Sequence, residues 1–334
     1  MSAARTALRT RTRRLHARGA ALLVAMLTVT LVATWAAAAL WQQWRAVEVE
    51  TAERARVQAS WILVGALDWS RLILREDGRT GGPDHLAEPW AVPLEEARLS
   101  TFLAAERNVA QADDASTDTT EAFLSGQILD LQARLNINSL LDGGQLQAGA
   151  YKQFTRLFER LGLPPQHLAL LIDGLRRAQA PVTAGSSAAD APLLPRRVEH
   201  LGWLGLPRST VDVLAPHVTW LPVATGVNLN TAGVDVLWAA IDGIDMAGAQ
   251  KLVQAREMRH FKGFEDVKAL VGANVELNGT NHVVQSRFFE VRGRLRLEQT
   301  LVDERSVVER IGQQTRVLWR ERGSFDRPVA PAMR

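Results

Sequence analysis

The 334-residue sequence contains no cysteine, which excludes disulfide bonds and thiolate catalysis but is compatible with any compartment. Motifs of common enzyme classes are also missing: the chain has no His-Glu-x-x-His, no Gly-x-Ser-x-Gly, no P-loop and no Rossmann glycine pattern. The seven histidines are scattered, and each is expected to be a surface or core residue. We therefore predict no active site, and we do not expect the chain to be an enzyme.

Acidic residues are absent from the first 19 positions, which carry six arginines. The whole chain has a formal charge of +3, but without these six arginines it has 33 basic against 36 acidic residues. The basic character therefore belongs to the leader and does not indicate a nucleic-acid-binding surface. With 47% hydrophobic residues, the chain can bury a sizeable core and is expected to hold two domains.

Charged residues are likewise missing between Ala20 and Leu40. As a helix, this run reaches about 30 Å, roughly the thickness of the hydrocarbon core of a bilayer. The arginine-rich leader is expected to stay in the cytoplasm, so the rest of the chain crosses the membrane. Three tryptophans could form an aromatic belt at the far interface: Trp35, Trp41 and Trp44.

A cleaved secretory signal is an alternative interpretation of this apolar run. The three alanines Ala36–Ala38 could serve as its cleavage site. However, the run is longer than a signal core, and helical spacing continues beyond it through Val57, Trp61 and Val64. We therefore favour a membrane helix that extends into a soluble domain.

A basic leader that ends in Gly19, directly before an apolar helix starting at Ala20, resembles the processing site of type IV prepilins and pseudopilins. The resemblance implies cleavage between these two residues by a prepilin peptidase. Most members carry glutamate at the fifth position after the cut, where this chain has Val24. A carboxylate within the membrane is costly unless it is paired, in these families with a neighbour's amino terminus. A subunit without it can cap an assembly without extending it, which is characteristic of the protein K family of type II secretion.

Other segments resemble the same family, namely the loop Asp84–Ala91 and the strand end Asn136–Leu141. The resemblance implies calcium, but the family's acidic ligand stretch is largely missing here and is represented by Asp173. We therefore predict no cofactor. Three further acids could bind a hard cation, although we interpret them as a solvated loop and leave metal binding open: Asp113, Asp114 and Asp118.

Two similar hairpins, Leu201–Pro207 and Leu237–Asp245, resemble helix-hairpin-helix modules, including those of DNA-uptake proteins. Such modules bind phosphate through backbone N–H groups of a Gly-rich turn, helped by basic side chains. Here Asp242 and Asp245 flank the second turn, so we expect a packing module and no nucleic-acid binding. The residues that carry the resemblance are Asn228, Asn230, Thr231, Ala232 and Gly243.

After Val283 the apolar period returns to two, which predicts an antiparallel strand with a solvated arginine face and two shorter strands on either side of Gly312. The predicted fold is α+β: a pilin-like long N-terminal transmembrane helix with an antiparallel β-sheet, interrupted by an inserted all-α domain with helix-hairpin-helix-like (SAM-like) hairpins. The predicted segments are the leader 1–19, the transmembrane and extended helix 20–76, the first part of the pilin-like domain 77–141, the helical insertion 142–280, the second part of the sheet 281–325 and the tail 326–334.

The resemblance to the protein K family covers nearly the whole chain. It implies a minor pseudopilin of the bacterial inner membrane with a periplasmic C-terminal domain, which caps the tip of the pseudopilus and initiates its assembly. The implied partners are the I and J minor pseudopilins and through them the major pseudopilin, the prepilin peptidase, the inner-membrane assembly platform and the lipid bilayer. Two alternatives remain: a membrane-anchored DNA-binding protein of competence, and a minor pilin of another type IV pilus system.

Overall fold

The computed structural model describes residues 4–100, 122–180, 191–272, 275–297 and 300–323, with side chains from residue 20 onward. The chain forms two compact units, Met1–Ser60 and Trp61–Arg334, and helix α1 (Ala4–Thr80) contributes to both. The later elements, in chain order, are β1 (Leu94–Arg98), β2 (Ala122–Asp130), β3 (Leu135–Asn136), β4 (Leu141–Asp142), β5 (Gln145–Leu146), α2 (Ala148–Arg160), α3 (Pro165–Gln179), α4 (Arg208–Leu214), β6 (Val218–Thr219), β7 (Val227–Asn228), α5 (Val234–Ala240), α6 (Met246–Met258), α7 (Phe264–Val271), β8 (His282–Val283), β9 (Phe288–Leu297), β10 (Thr300–Ile311) and β11 (Gln314–Gly323).

The first unit is the N-terminal part of α1, and its large apolar side chains from Leu22 to Val57 are exposed. Its three threonines in the apolar run, Thr28, Thr30 and Thr34, each donate a hydrogen bond to the carbonyl three residues earlier, at 2.8 to 2.9 Å. These side chains therefore satisfy their hydroxyl donors within the helix, as a helix in hydrocarbon requires.

The second unit contains a five-stranded antiparallel sheet in the order β1-β2-β9-β10-β11. Strands β2 and β9 are neighbours, with Ala122 opposite Leu297 and Asp130 opposite Phe289. All the helices from α2 to α7 lie between these two strands in the sequence. A helical block is thus inserted into the chain that forms the sheet, which confirms the predicted fold class.

Several elements differ from the sequence prediction in length. Strand β2 has nine residues, and β10 and β11 have 12 and 10 residues instead of forming short strands. Helix α1 also extends beyond residue 76, the predicted end of this segment, to Thr80. A Cβ at Gly78 would lie 2.7 Å from the carbonyl oxygen of Gly312, so this glycine allows the helix to approach the β10–β11 turn.

The C-terminal part of α1 packs on one face of the sheet through Leu67 and Leu74. Their neighbours include Trp90 and Phe289, whose rings meet edge to face with centroids 5.2 Å apart. Val57 and Trp61, which continue the helical spacing of the apolar run, are 55% and 71% exposed and do not belong to the face that packs on the sheet.

Charged side chains on the sheet are less solvated than predicted. Arg294 donates to Asp303 at 2.6 Å, and the side chain of that aspartate is only 7% exposed. Arg292 forms an ion pair with Glu290, which is also buried. The strand pattern is therefore as predicted, but Arg292 and Arg294 cover buried carboxylates instead of lying on a fully wet face.

Candidate functional site: the processing junction, the asparagine motif and an acidic cluster

Gly19 and Ala20 lie inside α1, and Val24 follows just over one turn later with 61% of its surface exposed. The segment Ala20–Thr80 contains a stretch that is long and apolar enough to cross a membrane, and none of that stretch is buried. The chain thus offers a continuous apolar helical surface next to the predicted cut. The cut itself and the capping role of Val24 stay predictions.

The motif at Asn228–Ala232 is buried at the junction between the helical insertion and the sheet. Asn228 and Ala232 have no exposed surface, and Asn230 is 1% exposed. Strand β7, which contains Asn228, pairs in parallel with β8 directly before the sheet strand β9. These residues are therefore placed to join two parts of the molecule, away from solvent.

Asn228 is the centre of this junction. Its side-chain amide lies within hydrogen-bond distance of three oxygens: the Asp84 carbonyl at 3.1 Å, Asp130 Oδ2 at 3.0 Å and Ser286 Oγ at 2.9 Å. Its Oδ1 accepts the backbone N–H of Asn230 at 2.9 Å. One side chain thus connects the loop after α1, the end of β2 and the start of β9.

The other polar residues of the motif complete the junction. Thr231 Oγ1 donates to Asp130 Oδ2 at 2.6 Å. The Asn230 side chain donates to the carbonyl of Phe261 and accepts that residue's N–H, at 3.0 and 2.8 Å. The motif therefore fixes the connection between α6 and α7 as well as the sheet.

Asp130 is a fully buried carboxyl group at the end of β2. Burial raises its pKa, and hydrogen bonds from Ser286, Thr231, Gln132 and Asn228 oppose that rise. The donors are close, with Ser286 Oγ at 2.6 Å and the Gln132 N–H at 2.7 Å. Such a group is tolerated in a core only when it is hydrogen-bonded.

An acidic cluster borders this junction. One carboxylate oxygen from each of Asp77, Asp84 and Glu88 lies within 4.8 Å of the others. Arg310 of β10 forms ion pairs with Asp77 and with Asp84, the latter at 2.5 Å, and donates to the Ser286 carbonyl at 2.9 Å. The arginine therefore connects the end of α1, the following loop and the sheet.

The cluster holds more carboxylates than cations. Burial raises the pKa of Asp84 to about 6, although Arg310 lowers it. Burial also raises the pKa of Glu88 to about 7, against the effect of hydrogen bonds from the His85 N–H and Trp90 Nε1. Nearby, the His85 ring stacks on His260 at 3.9 Å, and burial lowers the pKa of His85.

The donor set of Asp77, Asp84 and Glu88 is of the type that hard cations prefer. Arg310, however, is already paired with two of these three carboxylates, Asp77 and Asp84. At the position of the family's calcium stretch, Asp173 is exposed and lies 3.7 Å from Arg176, which does not fit a calcium site. Asp113, Asp114 and Asp118 lie outside the described residues.

The second predicted hairpin contains Gly243 at φ 84° between α5 and α6. Asp242 beside it forms ion pairs with Lys152 and, at 3.3 Å, with Arg156 of α2. Asp245 accepts the N–H of Gly248 at 2.7 Å and so caps α6. The two aspartates of the turn are therefore engaged with α2 and with the start of α6.

Sequence reasoning missed Asp130, Ser286 and Arg310 as members of the junction. Arg310 is one of several arginines in the C-terminal strands, and its position gives no sign of its partners. Asp84 and Glu88 lie in the loop that resembled the protein K family, which was the one available signal.

The fold and the N-terminal segment define a class of protein: pilin-like subunits with one apolar helix, an antiparallel sheet and, in this case, an inserted helical domain. Two family models, both described as type II secretion system (T2SS), protein K, match residues 133–223 and 227–285. Type II secretion system protein K of Pseudomonas aeruginosa is 28% identical over 339 residues, which cover 93% of this chain and 94% of that protein. The protein of the same name from Pectobacterium carotovorum subsp. carotovorum is 25% identical, covering 94% and 98%.

A solved structure supports the fold. The crystal structure of the GspK-GspI-GspJ complex from the enterotoxigenic Escherichia coli type 2 secretion system contains a chain that matches with a TM-score of 0.57 and 20% identity. The match covers 82% of this chain and 99% of that one. Taken together, the family models, the two relatives and the structural match support type II secretion protein K, a minor pseudopilin, as the family of this chain.

Proposed function

We propose that this minor pseudopilin caps the tip of the periplasmic pseudopilus together with the I and J minor pseudopilins and initiates its assembly. The observation that carries the proposal is Val24, an exposed aliphatic residue at the position where most pilin-like subunits have glutamate. Without that carboxylate, the subunit has no group to pair with the amino terminus of a subunit above it. Its own terminus at Ala20 remains available to the subunit below.

The proposal assigns membrane and soluble roles to different parts of the chain. The apolar run from Ala20 to Leu40 would lie in the inner membrane, with the unit Trp61–Arg334 in the periplasm, because the arginine-rich leader favours the cytoplasm. The prepilin peptidase would remove residues 1–19. The mature helix would then pack against the other pseudopilins at the assembly platform, and the I and J subunits would connect it to the major pseudopilin.

Three features support this assignment. The related structure is titled as a complex of K with I and J. The inserted helical block is fixed to the sheet by buried hydrogen bonds of Asn228 and Thr231. Every subunit of this kind in a filament would therefore carry the block in the same place. A subunit with such an addition suits a single terminal position better than a repeating one. The aspartates at the Gly243 turn are paired with α2 or cap α6, which also favours packing over nucleic-acid binding.

The test starts with the N-terminal sequence of the mature protein from membranes with and without an active prepilin peptidase. We expect Ala20-Ala21-Leu22-Leu23 in the presence of the peptidase alone. An uncut chain, or one that starts near Ala39, would contradict the assignment.

Capping is tested with Val24→Glu, using Val24→Leu as the matched control. We expect both variants to insert and to be processed, and the glutamate variant should be cross-linked to a further subunit packed above it. Loss of membrane insertion in the glutamate variant would refute the capping argument. The argument requires this position to accept a carboxylate, as it does in the pilin-like subunits that carry glutamate there.

A further inference from the structure

The sequence contains one Asn-Gly pair, Asn278-Gly279, in the loop between α7 and β8. Asparagine is chemically labile in such a pair, because the backbone nitrogen of the next residue can attack the side-chain amide and glycine has no Cβ to hinder the attack. Both residues are exposed, so water reaches them. The other asparagines that the structure describes are half-buried or buried. This site therefore combines the reactive sequence with access to solvent.

The attacking nitrogen is available in this loop. The N–H groups of Thr280, Asn281 and His282 all have acceptors, whereas that of Gly279 makes no backbone hydrogen bond to another described residue. A Cβ at Gly279 would meet no atom within 4 Å. The Gly279 nitrogen is thus neither held by the fold nor shielded on that side.

The same loop holds the carbonyl group that would be attacked. Asn278 Oδ1 accepts the N–H of Thr280 at 3.2 Å and that of Asn281 at 2.8 Å. Attack on the amide carbon makes it tetrahedral and places a negative charge on Oδ1. Backbone N–H groups aimed at an oxygen that becomes charged stabilise such an intermediate, as in an oxyanion hole. They contribute more to the charged oxygen than to the neutral one, so the gain belongs to the reaction step.

We propose that Asn278 is a self-modification site, at which the side chain cyclises onto the Gly279 nitrogen and then opens to aspartate or iso-aspartate. In the first step, a bond forms between Gly279 N and Asn278 Cγ, and the bond from Cγ to Nδ2 breaks. The proton of Gly279 leaves with the amide nitrogen as ammonia. In the second step, water from the solvent adds to the succinimide and breaks one of the two C–N bonds of the ring.

The iso-aspartate product would affect the junction between the helical insertion and the sheet. It adds one carbon atom to the main chain at a point where the Asn278 carbonyl accepts the His282 N–H at 3.0 Å. In the same loop, the Asn281 carbonyl accepts the N–H of Val227 at 2.9 Å. These bonds lie where β8 pairs with β7, the strand that contains Asn228. The iso-aspartate form should therefore unfold at a lower denaturant concentration than the unmodified protein.

The experiment uses the full chain in lipid nanodiscs, incubated at neutral pH in H₂¹⁸O and then digested in ordinary water. Mass spectrometry of the peptides detects the heavy oxygen, and fragmentation distinguishes iso-aspartate from aspartate. We expect label at Asn278 and none at Asn281, which lies in the same loop and is half-buried. Gly279→Ala, whose Cβ meets open space, should fold and lose the label. No label at Asn278, or equal label in the alanine variant, overturns the proposal.

The contribution of the loop is tested by comparing the folded chain with the chain unfolded in guanidinium chloride. Unfolding removes the hydrogen bonds from Thr280 and Asn281 to Oδ1 but keeps the Asn-Gly sequence. We expect the folded chain to react about fivefold faster, the effect of strengthening one hydrogen bond. An unfolded chain that reacts equally fast or faster overturns the assigned role of these two N–H groups.

Discussion

Replacing Asn228 with alanine should strongly destabilise the second unit, because this side chain joins three segments that are far apart in the sequence. Its amide bonds to Asp130, Ser286 and the Asp84 carbonyl, and its carbonyl oxygen accepts the Asn230 N–H. All of these contacts are buried. Alanine would leave no group to replace them, and the space is too enclosed for ready access of water.

The magnitude follows from the two kinds of bond that are lost. A hydrogen bond to a charged group is worth about 1.5 to 3 kcal/mol, and a buried N–H left without an acceptor costs about 1 to 3 kcal/mol. Asp130 keeps its donors Ser286, Thr231 and Gln132, so the carboxyl is not left without any partner. We therefore expect Asn228→Ala to lower the free energy of unfolding by about 3 to 5 kcal/mol.

The assay is urea unfolding of the full chain in nanodiscs, followed by tryptophan fluorescence. Asn278→Ala is the matched control, since Asn278 is exposed and its side chain accepts the N–H groups of Thr280 and Asn281. The control should lose about 1 kcal/mol or less. Equal losses in the two variants would refute the reasoning. If Asn228→Ala does not fold, the milder Thr231→Val, which removes one bond to Asp130, should still lose about 1.5 to 3 kcal/mol.

Two further predictions use the same unfolding assay. Glu88→Gln should stabilise the protein at pH 8, because burial raises the pKa of Glu88 to about 7 and its ionised form is disfavoured in the fold. As the pH falls, Glu88 binds its proton at a higher pH in the folded state than in the unfolded state, so the wild type gains stability. The advantage of glutamine should therefore shrink between pH 8 and 5. A difference in unfolding free energy that stays constant over this range would contradict the assignment. Gly174→Ala should destabilise the protein by about 1 to 3 kcal/mol, since a Cβ there would lie 2.7 Å from Leu204 Cβ. Gly65→Ala in α1 is the control: its Cβ meets open space, so it should stabilise the protein by about 0.5 to 1 kcal/mol. Effects of the same sign in the two glycine variants would show that the space around them does not decide the outcome.

The parts of the fold that sequence reasoning predicted well are those set by local periodicity. Phe154, Leu157 and Phe158 follow one another at helical spacing in the sequence, and all three are buried in the core of the insertion. The alternation of Phe289, Val291 and Leu295 likewise predicted a strand, and these residues are buried in β9. In both cases neighbours in the chain determine which face is covered, so a short window of sequence is enough.

The acidic cluster and the asparagine junction could not be predicted in this way. Arg310 pairs with Asp84 across 226 positions of the chain, and Asn228 meets Asp130 across 98. Such pairs depend on the sheet order, in which β9 pairs with β2 after the whole insertion and β10 then pairs with β9. The resemblance to a hairpin module located the Asn228 motif, but polar residues in such a motif fit a ligand site and a buried junction equally well. Burial decided between these interpretations.

The helix-hairpin-helix-like turn around Gly243 serves to pack the hairpin, because the charged side chains near it are already paired within the fold. A phosphate would need free backbone N–H groups and nearby cations at the turn around Gly243. Asp245 already accepts the Gly248 N–H, and Lys152 and Arg156 are paired with Asp242. The Arg156 guanidinium also donates to the carbonyls of Trp238 and Ile244, at 2.5 and 3.1 Å. The groups that could attract an anion thus hold the hairpin against α2, and the Asn228 motif beside it holds the whole insertion on the sheet.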